Sequence, residues 1–475
     1  MNAEILISQP LSRGKSIEID KQWTTREFRI VMIGTLVHLP LGLALYNAGS
    51  LAILHPLLVF ALGLYLALNR RVSLVNVGML AGYIVGSEVL WRMAHIPIYW
   101  ESGKYMSAAV LALALMKRHR YRFPPIPFVY FLLLVPGCLL TIASVTISEA
   151  YSELSSNMSG PLLLVVACWF FHNCRMNPNQ LKRLLTAIML PLFSVAVSTM
   201  FYTITNEEIQ FSGNSNFATS GGFGPNQVSS MLGLGFFLSL AGLILYKKPS
   251  RFTPYFAFAG LFFAAMAVMT FSRGGIYNAL GGILILTVFQ FRNFSSGVKR
   301  TVPALILGGV FFLAIFPYLD SLTEGALGSR FEDTGTTHRW EIAKADIEVF
   351  LEGPIFGAGV GGSYESRRQI LGFGAMSHTE FTRLVSEHGV FGLAALITLM
   401  MMVAANLHRT KMLLGKAFIA GAVAWSGFFM MNSGMRLAAP SFMFGISFLT
   451  FVQNRQIRRF IPGAIRVGKA TVNPT

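Results

Sequence analysis

Residues 51–71 read LAILHPLLVFALGLYLALNRR, eighteen residues with one histidine among apolar side chains, closed by an asparagine and two arginines. An apolar run of about 20 residues matches the ~30 Å hydrocarbon thickness of a bilayer when it is helical. Lipid offers no partner to backbone polar groups, so a lone spanning segment must be a helix. The same pattern recurs along the chain. Fourteen stretches have it, at approximately 28–46, 50–68, 72–90, 98–116, 126–147, 158–172, 182–204, 226–246, 254–271, 275–291, 301–319, 388–406, 415–431 and 436–453. The fourth and sixth have short uninterrupted cores, Tyr105–Met116 and Gly160–Phe171, so twelve spans is the alternative count.

Composition agrees with this. The 475 residues are 53% hydrophobic and 12% charged, with 40 phenylalanines, whereas soluble proteins are about 25% charged. A disordered chain, a soluble nucleic-acid-binding domain and a disulfide scaffold are excluded. The three cysteines lie in apolar runs (Cys138, Cys168) or a short basic loop (Cys174) and form no disulfide framework. Residues 1–27 have no short apolar core and read as a tail rather than a signal peptide.

The net charge of +17 resolves by side of the membrane. Alternate loops, NRR (69–71), KRHRYR (117–122), CRMNPNQLKR (174–183), KKPSR (247–251), RNFSSGVKR (292–300) and HRTKMLLGK (408–416), together with both tails and Arg29 next to the first, hold 28 of the 38 Lys and Arg but 4 of the 21 Asp and Glu. The opposite side holds 10 basic and 17 acidic residues, so the sides carry +24 and −7. The positive-inside rule makes the basic side and both termini, including 454–475, cytoplasmic. The expected fold class is all-α: a polytopic integral membrane protein of twelve to fourteen helices with one long outward loop, 320–387. A loop of that length is usually functional. There is no metal-ligand cluster, P-loop or nucleotide fingerprint, and no partner among nucleic acids is implied.

Several outward segments carry chemistry. FSRGG (271–275) sets Arg273 at the membrane boundary, where a guanidinium either snorkels or meets an anion; its glycines allow close backbone approach to a ligand. In THRWEIAKADIEVFLEGPIFGAGVGG (337–362), Trp340, Ala343, Ile347 and Phe350 fall at helical spacing, predicting an amphipathic helix over 338–352 that starts at Arg339 and ends at Gly353–Pro354. GAGVGG then reads as a nest or hinge. In SHTEFTRLVSEHGVFGL (377–393), Ser377 and Glu380 predict a capping box with His378 in the first helical position; Glu387 and His388 are expected to be solvated. NSGMR (432–436) offers Asn432 and Arg436 to a cavity or to interface anchoring, and GGFGPNQ (221–227) puts Asn226 at a helix start, where anions bind. Singly, each has a plain structural explanation. Together they bring arginines, a histidine and helix N-termini to one face of the membrane, a metal-free way to hold a diphosphate.

FSRGG after a spanning helix, the long loop with R-W and a glycine turn, and SHTEFTRLVSEHGVFGL resemble the O-antigen ligase and Wzy-type polymerase family over roughly 205–405, and GGFGPNQVSS resembles its Bacteroidetes members. The resemblance implies a GT-C-like membrane glycosyltransferase of lipopolysaccharide or exopolysaccharide biosynthesis. Its donor is a glycan on undecaprenyl diphosphate at the periplasmic face of the inner membrane, its acceptor is a glycan or lipid hydroxyl, it inverts the anomeric centre, and it needs no metal or cofactor. It implies His378 as the catalytic base and Arg273 and Arg339 as diphosphate ligands, although Trp340 follows Arg339 directly where family members more often separate the two. Arg436, Asn226, Arg383 and Glu380 are further candidates. The alternative is a lipid-linked oligosaccharide flippase or another polytopic transporter, which would carry charge inside the bundle; the apolar runs are nearly free of it.

Overall fold

The computed structural model describes residues 13–117, 121–206, 211, 215, 217–245, 250–291, 294–333, 335 and 338–452. The expected tails over 1–12 and 454–475, with Arg455, Arg458, Arg459, Arg466 and Lys469, lie outside the described residues, as do parts of the loops around 118–120, 207–216, 246–249 and 292–293.

The chain is almost entirely helical. In order the helices are α1 (Arg13–Asn47), α2 (Leu54–Leu68), α3 (Leu74–Met93), α4 (Ser102–Met116), α5 (Pro125–Leu132), α6 (Val135–Ser144), α7 (Ile147–His172), α8 (Pro178–Thr205), α9 (Pro225–Leu245), α10 (Phe252–Met269) and α11 (Gly274–Gln290). They continue with α12 (Phe294–Val310), α13 (Phe316–Leu322), α14 (Ala326–Glu332), α15 (Arg339–Glu352), α16 (Ser363–Leu371), α17 (Glu380–Arg409), α18 (Leu413–Ser433) and α19 (Ala438–Gly445). Among the described residues, 11 helical segments are long and apolar enough to cross a membrane, and three shorter apolar ones are Ser102–Met116, Gly274–Gln290 and Ala438–Phe448. Each of the fourteen sequence stretches meets one of these. The protein is an all-α polytopic membrane protein.

Burial grades from centre to rim. α9 is nearly enclosed, packed on α8, α10, α11 and α18. α1 and α2 instead turn Leu36, Leu58, Leu62 and Tyr65 outward, the pattern of a surface facing lipid. At the centre the backbones approach closely. A Cβ on Gly275 would overlap the Ser229 carbonyl, and one on Gly233 would overlap Gly275. Gly275, the second glycine after Arg273, therefore serves helix packing, whereas a Cβ on Gly274 would meet only ordinary contact with Asn432 at 3.8 Å.

Several expected boundaries move. α1 reaches back to Arg13, so the tail is partly helical. The sixth span extends from 158 back to Ile147, begun by a Thr146–Glu149 capping box. The last, expected over 436–453, is helical only over Ala438–Phe448. At 1.5 Å per residue that is too short for a bilayer. It is buried along its whole length, and the chain finishes the passage extended, pairing Thr450–Phe451 with Arg175–Met176. Non-helical backbone is tolerated at that depth because protein surrounds it.

The helix expected to start at 388 starts at Glu380 and is broken at Gly389 (φ 60, ψ −139). The break frees carbonyls that lipid would leave unpaired at a cost of several kcal/mol each. The segment after α15 supplies their partners: Ala358 N–H donates to Ser386 O (2.9 Å), Gly359 N–H to Glu387 O (3.1 Å), and Val390 N–H to Pro354 O (2.8 Å). The GAGVGG stretch, expected as a nest or hinge, is a backbone splint. The connection between α13 and α17 is accordingly 323–379 rather than 320–387, and it contains α14, α15 and α16.

Gly389 has two reasons to be glycine: its positive φ, and the Ile355 carbonyl 2.5 Å from where a Cβ would stand. Gly389→Ala should destabilise the protein by about 1–3 kcal/mol, whereas Gly308→Ala, on a helix with open space around it, should be neutral or slightly stabilising. Thermal midpoints of the two detergent-purified variants check this.

Candidate active site

The turn between α10 and α11 is held from three sides. Phe271 is buried with φ 55, a costly conformation for a bulky residue. Its carbonyl accepts from Arg330 Nε of α14 (3.0 Å). Ser229 of α9 donates to Ser272 O (2.7 Å) and accepts from Gly275 N–H (3.2 Å). Ser272 Oγ donates to Asn226 Oδ1 (2.8 Å), so Asn226 at the α9 start braces the turn. This framework aims Arg273 at the loop after α14, where it donates to the carbonyls of Asp333 and Gly335.

α15 begins at Arg339, as expected, behind His338 in a left-handed conformation. Its buried face is not the one expected. Ile342, Ala345, Asp346 and Val349 point inward, while Trp340 and Ile347 are exposed at 61% and 42%. The reason is Asp346, a buried carboxylate around which the loop is organised. It accepts from Arg367 (2.5 Å), Ser377 Oγ (2.8 Å) and Thr382 Oγ1 (2.6 Å). Hydrophobic periodicity alone assigned that face to the wrong residues.

The expected capping box is absent. Thr379 caps α17, its Oγ1 accepting from Phe381 N–H (3.1 Å), while Ser377 is taken by Asp346. His378 therefore lies just ahead of the helix rather than in its first turn. Glu380 does not reach back: it accepts from Arg383 (2.5 Å) and Met435 N–H (3.2 Å). Arg383 also holds Glu387 (2.5 Å). Glu387 and His388, expected to be solvated, are buried; Glu387 is ion-paired and takes Ser363 Oγ (3.2 Å), and His388 packs where Gly137 leaves room.

The arginines converge on His378. Arg339 donates to Asn432 Oδ1 (3.2 Å), and Asn432 Nδ2 donates to Asn278 Oδ1 (2.9 Å), tying α15 to α18 and α11. Arg436 donates to Ser377 O (3.1 Å), the residue before His378. Burial, then the charges of Arg339, Arg436 and Arg367, pull the His378 pKa down to about 4 against the opposing Asp346. Burial and the neighbouring Arg273 and Arg330 likewise lower Arg339. His378 makes no hydrogen bond to a described residue. A neutral imidazole beside crowded, incompletely compensated guanidiniums suits an anion and a proton acceptor side by side.

Sequence reasoning missed three contributors. Arg330 and Asp346 lie in the loop without a motif to mark them, though Asp346 stands on the predicted helix. The third is a buried charge network at the same end of the bundle. Arg92 pairs with Glu88 (2.7 Å), Lys104 pairs with Glu101 (2.5 Å), and Arg92 donates to Gln227 Oε1 (2.9 Å). Glu88 accepts from Ala438 N–H (2.6 Å). The runs were thus less free of charge than expected, but these groups cluster at the end of α3 and the start of α4, mutually compensated. Among the described residues, no group of three or more His, Cys, Asp or Glu is placed to hold a metal ion.

Residues 256–397 match the family model described as O-Antigen ligase. That stretch runs from α10 into α17 and contains Arg273, Arg330, Arg339, Asp346 and His378; Arg436 and the first 255 residues lie outside it. No curated protein matches the chain. Over 256–397 the chain is therefore similar to the O-Antigen ligase family, and that stretch lies within an all-α membrane protein.

Proposed function

We propose that the protein is a glycosyltransferase that ligates or polymerises an undecaprenyl-diphosphate-linked glycan at the periplasmic face of the inner membrane, with both termini cytoplasmic. The match to the O-Antigen ligase family over 256–397 supports a membrane enzyme acting on lipid-linked glycan. The observation that carries the finer reading is the gathering of Arg339, Arg436 and Arg367 about His378, with Arg273 and Arg330 beside Arg339.

The acceptor hydroxyl oxygen attacks the anomeric carbon of the donor, and its proton passes to His378. The bond from that carbon to the diphosphate oxygen breaks, and its electron pair leaves on undecaprenyl diphosphate. Single displacement inverts the anomeric centre. Arginine is always charged and grips phosphate through two parallel N–H groups, so Arg273 and Arg339 stabilise the charge growing on the leaving group without a metal. Asp346, through Ser377 and Thr382, holds the His378 segment.

Three outcomes follow for purified protein given lipid-linked donor and acceptor. His378→Ala and His378→Gln should each lower transfer by ~10²–10⁴-fold with lipid-diphosphate binding retained; near-normal transfer by the Gln variant would leave His378 as a positioning residue. Arg273→Lys should fail nearly as badly as Arg273→Ala, because the ammonium keeps the charge and loses the fork; recovery by Lys would make Arg273 a bulk charge. With its pKa near 4, His378 stays a base as pH falls. The wild-type rate should therefore hold level from about pH 8 to 5.5, whereas a base near the ordinary value of 6.5 would be about nine-tenths protonated at the lower end.

A further inference from the structure

A cavity of about 780 Å³ opens beside the His378 segment, with Ser377 and Arg436 in its wall. Its volume is within the ~300–1,000 Å³ of small-ligand sites. The opposite wall is the first turns of α7, where Glu149, Ser152, Glu153, Ser156 and Asn157 form a polar stripe at helical spacing. Trp100 and Tyr364 add aromatic faces. Resting on the transfer reading above, we propose that this cavity is the acceptor-sugar subsite and that it selects neutral or amino sugars over phosphorylated or uronic ones.

The charge distribution argues for this. Most charged groups in the wall are compensated by close ion pairs: Arg383 by Glu380 and Glu387, and, from behind the wall, Arg367 by Asp346 and Glu101 by Lys104. Glu365 pairs with Arg368 at 3.4 Å. Glu149 is held by Thr146 (2.9 Å) and Glu153 by Asn157 Nδ2 (3.1 Å), neutral donors that leave both carboxylates negative. Glu153 is also positioned. Gly361 leaves the space its carboxylate occupies, and Asn157 in turn accepts from Arg383 (3.3 Å). The wall is negative at α7 and positive at Arg436, towards His378. A diphosphate is drawn to the arginine side and repelled from α7. An acceptor with hydroxyls or an amine meets carboxylate, hydroxyl and amide partners along α7 with its reacting end towards His378, whereas an anionic sugar meets like charge.

The test uses the full chain in detergent and three trisaccharides of equal length as probes: chitotriose, its de-N-acetylated amine form, and a galacturonic acid trimer. Binding is read by saturation-transfer NMR and Trp fluorescence, with farnesyl diphosphate binding measured in parallel. The neutral and amine trimers should bind, and the acidic trimer should bind about tenfold more weakly or worse. Glu153→Lys should reverse that order while leaving farnesyl diphosphate binding unchanged, and Glu153→Gln should narrow the difference. Equal binding of all three trimers, or an order unmoved by Glu153→Lys, overturns the proposal, as does loss of farnesyl diphosphate binding in that variant, which would give the cavity to the donor. Failure of wild-type protein to bind farnesyl diphosphate, with sugar discrimination intact, instead sinks the transfer reading.

Discussion

The carboxylate of Asp346 is the point on which the loop depends. It is fully buried, projects from the middle of α15, and collects donors from α16 (Arg367), from the segment before His378 (Ser377) and from the first turn of α17 (Thr382). A buried carboxylate without such partners is very costly, so the four segments can only pack together in the arrangement that satisfies it. That requirement turns α15 so that Trp340 and Ile347 face outward, takes Ser377 from its expected capping role, and leaves Thr379 to begin the helix. His378 stands free between two anchored neighbours.

A second constraint comes from the break in α17. The bilayer penalises unpaired carbonyls, and the glycine-rich segment after α15 pairs them. The loop is thereby anchored at both ends of its functional part, by side chains at Asp346 and by backbone at Gly389. This rigidity suits transfer chemistry, because a base and a set of phosphate ligands are effective only when held in position before the charge develops. It also explains why polar groups gather at one end of an otherwise apolar bundle. The Arg92 and Glu88 network, the Asn432–Asn278 bridge and the Glu380–Arg383–Glu387 triad all tie spanning helices to the turns that carry the site.

The sign of the charge differs across the site. Around His378 the cations outnumber their compensating groups, while the stripe on α7 carries carboxylates held by neutral donors. Under the proposed transfer reading, two substrates of different charge would be sorted to the two sides of His378 by field alone, before any specific contact is made.

Sequence alone was sufficient for the fold class, and it named most of the residues that the structure brings together at the candidate site. The spans follow from the requirement that apolar runs of bilayer length be helical, and each of the fourteen met an apolar helix. Arg273, Arg339 and Arg436 were legible because arginine at a membrane boundary is costly enough to stand out, and His378 because it sits in a motif. Tertiary structure decided what depends on partners distant in sequence. Arg330 became important by reaching Phe271 O across the fold. Asp346 looked like an ordinary polar residue on a helix until three donors converged on it. Asn432 was read with Arg436 but serves Arg339. Glu387 and His388 looked solvated because the helix was taken to begin at 388, whereas α17 continues through them into the protein and breaks at Gly389. Local periodicity reports which residues share a face; which face is buried is set by the most costly group that must be satisfied, and that group's partners lie elsewhere in the chain.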